Sequence, residues 1–361
     1  MRELVQVPLA PLTTLGLGGS AASLVEATTA DELVQSVLTT EASGALFILG
    51  GGSNVVVADA GVSGRVVRVM TKGVRVNRID QDAVRIEAQA GESWDALVER
   101  CVAEGWSGFE SLSGIPGLVG ATPIQNVGAY GYEVGPFIEE VKVVDTISRS
   151  VVVLPPEACS FAYRDSMFKR TGGRYVIVSV TFRLPCSAVT AVRYAELARA
   201  LDVPLGSEAP LAQVRETVVM LRRQKGMVLD DQDPDTKSAG SFFTNAVVTP
   251  DAFSDIVARA RASGACGATE EPPHFPHGER VKIAAAWLIE KSGFTKGYQK
   301  GNVGISTKHS LALVNRGGTT AELLALADEI VNRVNDRWDV ALLREPVLVG
   351  DFGGSSLGSS S

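Results

Sequence analysis

Positive charge is in short supply. Against 41 Asp and Glu residues there are only 34 Lys and Arg, leaving a net charge of −7 over 361 residues, so no basic field exists to neutralise a nucleic-acid backbone and nucleic acid is not an expected partner. Cysteine is sparse as well. Cys101, Cys159, Cys186 and Cys266 are scattered without a CxxC spacing, which excludes a zinc ribbon or a thioredoxin-like motif and fits four thiols in a reducing compartment. The opening MRELVQVPLAPLTTL lacks an apolar signal-peptide stretch, so a cytoplasmic location is expected. Ser111 to Tyr132 carries no charge at all, yet Gly114, Pro116, Gly117, Gly120, Pro123, Gly128 and Gly131 would break any membrane-spanning helix there.

What is present describes a globular protein: 45% apolar and 21% charged residues, at a length that gives two or three domains at about 150 residues each. Glycine is abundant, and it clusters. Thr28 to Thr40 opens with a capping-box pattern and predicts a short helix. The apolar ALFIL at 45–49 predicts a buried strand, followed by Gly50-Gly51-Gly52-Ser53-Asn54 and a second strand at Val55 to Val57. Val66 to Met70, Val74 to Val76 and Val84 to Ala88 read as strands, and Ser93 to Glu104 as a helix stopped by Gly105. Further strands are expected around Val141 to Val144, Val151 to Leu154 and Tyr175 to Leu184. A helix through Leu211, Val214, Val218 and Leu221 ends near Gly226. The acidic stretch from Asp230 to Asp235 marks a domain boundary, beyond which Val281 to Ser292 and Ala321 to Trp338 read as amphipathic helices with a strand-like LALV between them. An α+β fold is expected, with GGSSLGSSS at the end as a disordered tail.

Several motifs fail on context. Gly16-x-Gly18-x-x-Ala21 has neither a good strand before it nor a helix at Gly18, so it reads as a turn. G-x-S-x-G occurs only at Gly354 to Gly358, in the tail, and Ser166-x-x-Lys169 has no SDN or KTG to complete it. His274-x-x-His277 is flanked by prolines with no third ligand close by, so it reads as a surface loop and no metal site is expected. Gly50 to Asn54 is different in kind. Successive glycines let backbone N–H groups turn toward one point, a nest suited to a diphosphate. No GK[ST] follows, so it is not a P-loop, and a hairpin turn fits the residues equally well. The second glycine segment, SLSGIPGLVGATPIQNVGAYG, offers many backbone amides plus Ser113, Thr122, Gln125 and Asn126 without a formal charge. Such a wall suits a large flat heterocycle, and about twenty neutral residues without a regular element are otherwise uncommon.

SGIPGLVGATPIQNVGAYG, then FAYRDSMFK, AGSFFTN and REPVLVG, in that order and spacing, resemble the UDP-N-acetylenolpyruvoylglucosamine reductases of bacterial peptidoglycan synthesis, while GGGSN alone suggests only the wider class of FAD proteins related to vanillyl-alcohol oxidase. The resemblance runs from about Pro11 to Gly350. It implies FAD held between two N-terminal subdomains, at 1–67 and 68–228, with a C-terminal α/β substrate domain at 229–350 whose last strand returns toward the flavin, and a tail at 351–361. The implied FAD contacts are Gly50, Gly51, Gly52, Ser53 and Asn54 in the first segment, Ser113, Gly114, Ile115, Pro116, Gly120, Ala121, Thr122, Gln125, Asn126, Gly128, Ala129, Tyr130 and Gly131 in the second, and Ile177 beyond them.

The implied reaction is reduction of an enolpyruvyl ether to a lactyl ether with NADPH as donor. Hydride passes from the flavin N5 to C3, leaving negative charge over C2 and the carboxylate that must be stabilised. The residues matching that task are Arg164 in YRDS and Glu345 in REPV. Arg164 supplies a fixed fork for a carboxylate, whereas Glu345 has to be protonated, its pKa raised by burial, to donate a hydrogen bond. On the residues alone, an ion pair of Arg164 with Asp165 or another acid fits equally. Ser241 in AGSFFTN matches the proton donor to C2. Tyr163, Tyr194, Lys225, Asn245, Lys296 and His309 match substrate contacts, and the Tyr194 loop indicates the larger of two family types. Two positions depart from the pattern: some members carry Gln at His309, and members reading EPEVRFIG have arginine where Val347 stands. NADPH and the sugar nucleotide are implied to visit one pocket in turn, which removes the need for a separate dinucleotide fingerprint, and a monomer is expected.

An FAD oxidase acting on an alcohol or lactone is the rival enzyme. A histidine anchor for flavin has no candidate in the glycine segments, because His274, His277 and His309 all lie late in the chain. A non-catalytic flavin or nucleotide-sugar binder would not need Arg164, Ser241 and Glu345 together.

Overall fold

The computed structural model describes residues 1–40 and 45–352. Its first sheet orders Arg2–Pro8, Ser20–Ala27, Val62–Val69 and Leu46–Leu49, the last three mutually parallel. Parallel neighbours need a crossover, and helix Ala30–Thr39 provides one. It starts where Thr29 accepts from the Glu32 N–H while Glu32 accepts from Thr28, and buries Leu33 and Val37.

The second sheet is antiparallel: Ser150–Leu154, Ile138–Asp145, Tyr175–Pro185, Ala83–Gln89 and Val74–Arg78. Its centre is Tyr175–Pro185, a nearly continuous run of buried residues as expected for a strand covered on both faces. Helix Trp94–Ala103, capped by Ser93 and ended at the left-handed Gly105, drives Trp94 against Phe109 with ring centroids 4.8 Å apart, and Phe109 meets Phe182 edge-on at 5.1 Å. Buried residues of both sheets, including Val25, Val67, Val84 and Val180, share one core. The second glycine segment is pinned to this base, Gly120 donating to the Ala90 carbonyl and the Gly117 carbonyl accepting from the Trp94 N–H.

The C-terminal part has its own core, built on helices Pro250–Ala262, Ala285–Lys291 and Thr320–Trp338 and two three-stranded sheets. Leu15, Leu17 and Val56 from the N-terminal part join it. Thr319 and Glu322 form a complete capping box on the longest helix, and the carboxylate of Asp59 caps the same end from across the molecule through the N–H groups of Thr320 and Ala321. The chain then returns: Val347–Val349 lies parallel to Val55–Val57.

Four expectations are corrected. Val281 to Ser292 is not one helix, because Arg280–Ile283 is the central strand between Ala246–Val248 and His274–His277 and the helix begins only at Ala285. His274 to His277 is accordingly an edge strand, not a loop. The Gly50 to Asn54 turn does not form a hairpin: Leu46–Leu49 pairs with Val62–Val69, whereas Val55–Val57 pairs with Val347–Val349. The neutral segment is not devoid of regular structure, since it holds 3-10 turns at Glu110–Leu112 and Val119–Ala121 and a two-residue pairing of Gly128–Ala129 with Tyr132–Glu133. Ser166 is used structurally, capping Met167–Arg170 and donating to the Ile124 carbonyl. Of the expected tail only Asp351 and Phe352 are described, Phe352 packing on the C-terminal core, and Gly354 to Gly358 lies outside the described residues.

Candidate active site

Segments far apart in the chain meet around the Glu345 backbone. Its N–H donates to the Phe242 carbonyl at 3.0 Å, which sets the Ser241 to Asn245 stretch beside it, and Arg344 bridges to Phe243. Its carbonyl accepts from the side-chain amides of Asn54 at 3.4 Å and Gln125 at 3.3 Å. Both glycine segments are thereby tied to the residue after Arg344. The Glu345 carboxylate, 12% exposed, stands 3.7 Å from Nε of Arg164, and the Arg164 Nη2 donates to the Gly128 carbonyl at 2.9 Å.

Arg164, Glu345 and the backbone of Ser241 are therefore gathered at one place. The Ser241 side chain is half-buried and its hydroxyl makes no hydrogen bond among the described residues, which leaves it available to a ligand. Asp165 pairs with Arg170 instead of Arg164, so of the expected ion-pair partners, Asp165 or another acid, the one Arg164 meets is Glu345. The backbone here is strained. Arg164 has φ +55°, and Asn126 and Tyr130 have φ +44° and +48°, left-handed conformations that cost of order 1–3 kcal/mol each for such residues and persist where the surroundings over-determine them.

The glycine segments face each other closely. A Cβ on Gly51 would stand 2.9 Å from the Gly117 Cα, and one on Gly120 would stand 2.6 Å from the Ala90 Cβ, so glycine is required by packing at both. The N–H groups of Gly51, Gly52, Ser53, Ile115 and Gly117 find no acceptor among the described residues. Unpaired backbone donors are costly once desolvated, and five of them on two apposed segments fit the diphosphate and ring edges of a dinucleotide cofactor. The expectation of many unhindered amides is met only in part. Ser113, Ala121, Thr122 and Asn126 donate their N–H groups to carbonyls three residues back, Gly120 donates to the Ala90 carbonyl, and Gly114 donates to Asp95 at 2.6 Å. Side chains are committed too: Ser53, Ser113 and Thr122 donate to main-chain carbonyls, and Asn126 binds Glu133, the Ala162 carbonyl and the Gly135 N–H. Pro116 supplies the carbonyl for Ser53, while Ile177 sits in the second sheet, paired with Val143 in the core.

The expected substrate residues form two groups. Tyr163 lies under the ammonium of Lys282, 4.1 Å from its ring centroid, and 5.9 Å from the ring of His277; burial pushes its phenol up, with Arg164 opposing and Glu345 adding to the shift. Asn245 accepts from the Ala285 N–H at the start of a helix. In the second group Tyr194 meets Tyr130, on the Ala129-Tyr130-Gly131 turn, edge-on at 5.5 Å, and Lys225 pairs with Glu196 at 2.6 Å. His309 is held to about 4, mainly by burial and then by the positive charges of Lys225 and Lys296, so it is a neutral imidazole near neutral pH. Lys296 is exposed.

Two cations escaped the sequence reading. Arg222 has a buried Nε with no hydrogen-bond partner, faces Gly114, and is lowered to about 10 chiefly by burial. A signal was available: it stands four residues after Val218, on the inward face of its helix. Lys282, lowered by burial with Arg164 adding to the shift, was hidden by the misassigned helix.

Comparison with known proteins bears on the same arrangement. Residues 21–151 match the FAD binding domain family and residues 232–349 match the family described as UDP-N-acetylenolpyruvoylglucosamine reductase, C-terminal domain. The chain is 51% identical to the UDP-N-acetylenolpyruvoylglucosamine reductase of Thermobifida fusca (strain YX) over 95% of this chain and 97% of that protein. It is 50% identical to the corresponding reductase of Streptomyces coelicolor, covering 97% and 91%. Among solved structures, the UDP-N-acetylenolpyruvylglucosamine reductase of Thermus caldophilus superposes with a TM-score of 0.61 at 25% identity, covering 96% of this chain and 98% of that one.

Proposed function

The chain belongs to the UDP-N-acetylenolpyruvoylglucosamine reductase family, and from that premise we propose how its own residues carry out an FAD-dependent reduction of the enolpyruvyl sugar nucleotide in peptidoglycan synthesis. FAD, when bound in the cradle of Gly50 to Asn54 and Ser113 to Gly131, supplies the hydride, with NADPH as the donor that replenishes it. The unpaired N–H groups of Gly51, Gly52, Ser53, Ile115 and Gly117 support that placement. Arg222 adds a buried positive charge beside Gly114.

Arg164 and Glu345 receive the substrate carboxylate. Hydride arriving at C3 leaves charge on C2 and that carboxylate, and a guanidinium fixed by its bond to Gly128 stabilises this charge without rearranging. Glu345, 3.7 Å from the Arg164 Nε, faces the same group. Ser241 gives its proton to C2, a carbanion-like centre basic enough to take it from a hydroxyl. Tyr194, Lys225, Asn245, Lys296 and His309 bind the diphosphate and its neighbourhood, with Tyr163 closing the wall near Arg164. The observation that carries this reading is the meeting of Arg164, Ser241 and Glu345 through the Phe242–Glu345 backbone bond and the Arg164–Glu345 pair.

NADPH and the sugar nucleotide occupy one pocket in turn, the enzyme works as a monomer in the cytoplasm, and the working division is 1–67, 68–228 and 229–350. No helix among the described residues is long and apolar enough to cross a membrane. The test is direct: purified protein is yellow, its flavin bleaches with NADPH in the absence of oxygen, and the colour returns on adding the enolpyruvyl sugar nucleotide. A flavin that stays bleached contradicts the assignment.

A further inference from the structure

Lys225 is not a free cation. It follows helix Leu211–Gln224, and its Nζ lies 2.6 Å from a carboxylate oxygen of Glu196, with both side chains about one-third exposed. Glu196 is in the first turn of helix Ala195–Leu201, two residues after Tyr194. The Tyr194 ring meets Tyr130 edge-on, and the same Tyr130 ring lies 5.8 Å from Lys225 Nζ. The ion pair therefore ties Lys225 to the helix end that carries Tyr194. Lys225, Lys296, Arg222 and Glu196 all act on His309, and Glu196 is the one carboxylate in that set.

Within this group of cations Lys225 holds a carboxylate of its own, at 2.6 Å, an arrangement suited to exchanging that carboxylate for a ligand bearing more negative charge. Resting on the reading of Lys225 as a diphosphate ligand, we propose that Glu196 is the internal counter-ion that the diphosphate displaces from Lys225, so that Glu196 sets how tightly the sugar nucleotide is held. The exchange is ionic, and no covalent bond is made or broken. Part of the attraction between Lys225 and the diphosphate is spent on separating the existing pair, which weakens binding and speeds departure of product from a pocket that the hydride donor must enter next. Displacement also frees the helix end carrying Tyr194 to move onto the ligand.

Calorimetric titration of the FAD-loaded protein with UDP, and with uridine as a phosphate-free probe, tests this. Glu196→Gln keeps the shape of the side chain and removes its charge, and it should bind UDP about two- to fivefold more tightly, the range expected for a part-exposed pair, with uridine unchanged. Glu196→Asp, which keeps the charge and withdraws it, should give a smaller gain. Weaker or unchanged UDP binding in Glu196→Gln, alongside weaker binding in Lys225→Met, would show that Glu196 merely orients the lysine and overturns the inference. Unchanged UDP binding in Lys225→Met would instead remove the reading of Lys225 on which it rests.

Discussion

At the scale of single residues, the chemistry depends on groups whose surroundings are set by other parts of the chain. His309 shows this. Burial and the nearby lysines lower its pKa to about 4, against about 6.5 in an unfolded chain, so between those values the unfolded state binds more protons than the folded one. Stability contributed by the neutral imidazole is present above about pH 6.5 and is lost as pH falls toward 4. The melting temperature should drop over that window, and His309→Gln should flatten part of the drop; identical pH profiles for the two proteins would place the acid sensitivity elsewhere. Arg164, Ser241 and Glu345 were legible only through the motifs that contain them, since an arginine, a serine and a glutamate are individually commonplace. A charged run such as RRQK normally marks a solvated face, and only the spacing of Arg222 from Val218 shows that it turns inward.

Elements were read best where local pattern and tertiary demand agree. The helix ending at Trp338, with its capping box, and the strand Tyr175–Pro185, with its run of apolar residues, stand where the sequence places them. Arg280–Ile283 was misread because Val281 and Ile283 also fit the face of a helix that truly starts two residues later, and only pairing with Ala246–Val248 and His274–His277 decides between them. The glycine segments signalled a ligand loop, but not that they would press on each other at Gly51 and Gly117. That contact makes a prediction. Gly51→Ala puts a methyl group against backbone that cannot move aside cheaply, and flavin retention should weaken by about tenfold or more, read as the flavin-to-protein absorbance ratio after dialysis. Full retention would mean that the two segments have slack.

On the scale of the whole molecule, the candidate site is assembled because the chain comes back to its beginning. Val347–Val349 pairs with Val55–Val57, and the Val347 N–H donates to the Asn54 carbonyl at 3.0 Å, which fixes Glu345 against the first glycine segment. The Val347 side chain is largely exposed, so this position matters through its backbone. Val347→Pro deletes that donor and should lower kcat by about tenfold or more with little loss of bound flavin. Equal loss of flavin and activity would mean that the strand holds the cradle rather than the carboxylate. The return is implied by the family resemblance and not by local pattern, because three apolar residues near the end of a chain do not specify their partner.

The central claim is that Ser241 donates the proton that completes reduction of the sugar nucleotide. Rapid-mixing absorbance under anaerobic conditions separates the two halves of the cycle in Ser241→Ala. Bleaching of the flavin by NADPH should proceed at close to the wild-type rate, while return of the colour with the enolpyruvyl sugar nucleotide should slow by on the order of a hundredfold or more. Equal slowing of both steps, or no slowing of the second, would contradict the account.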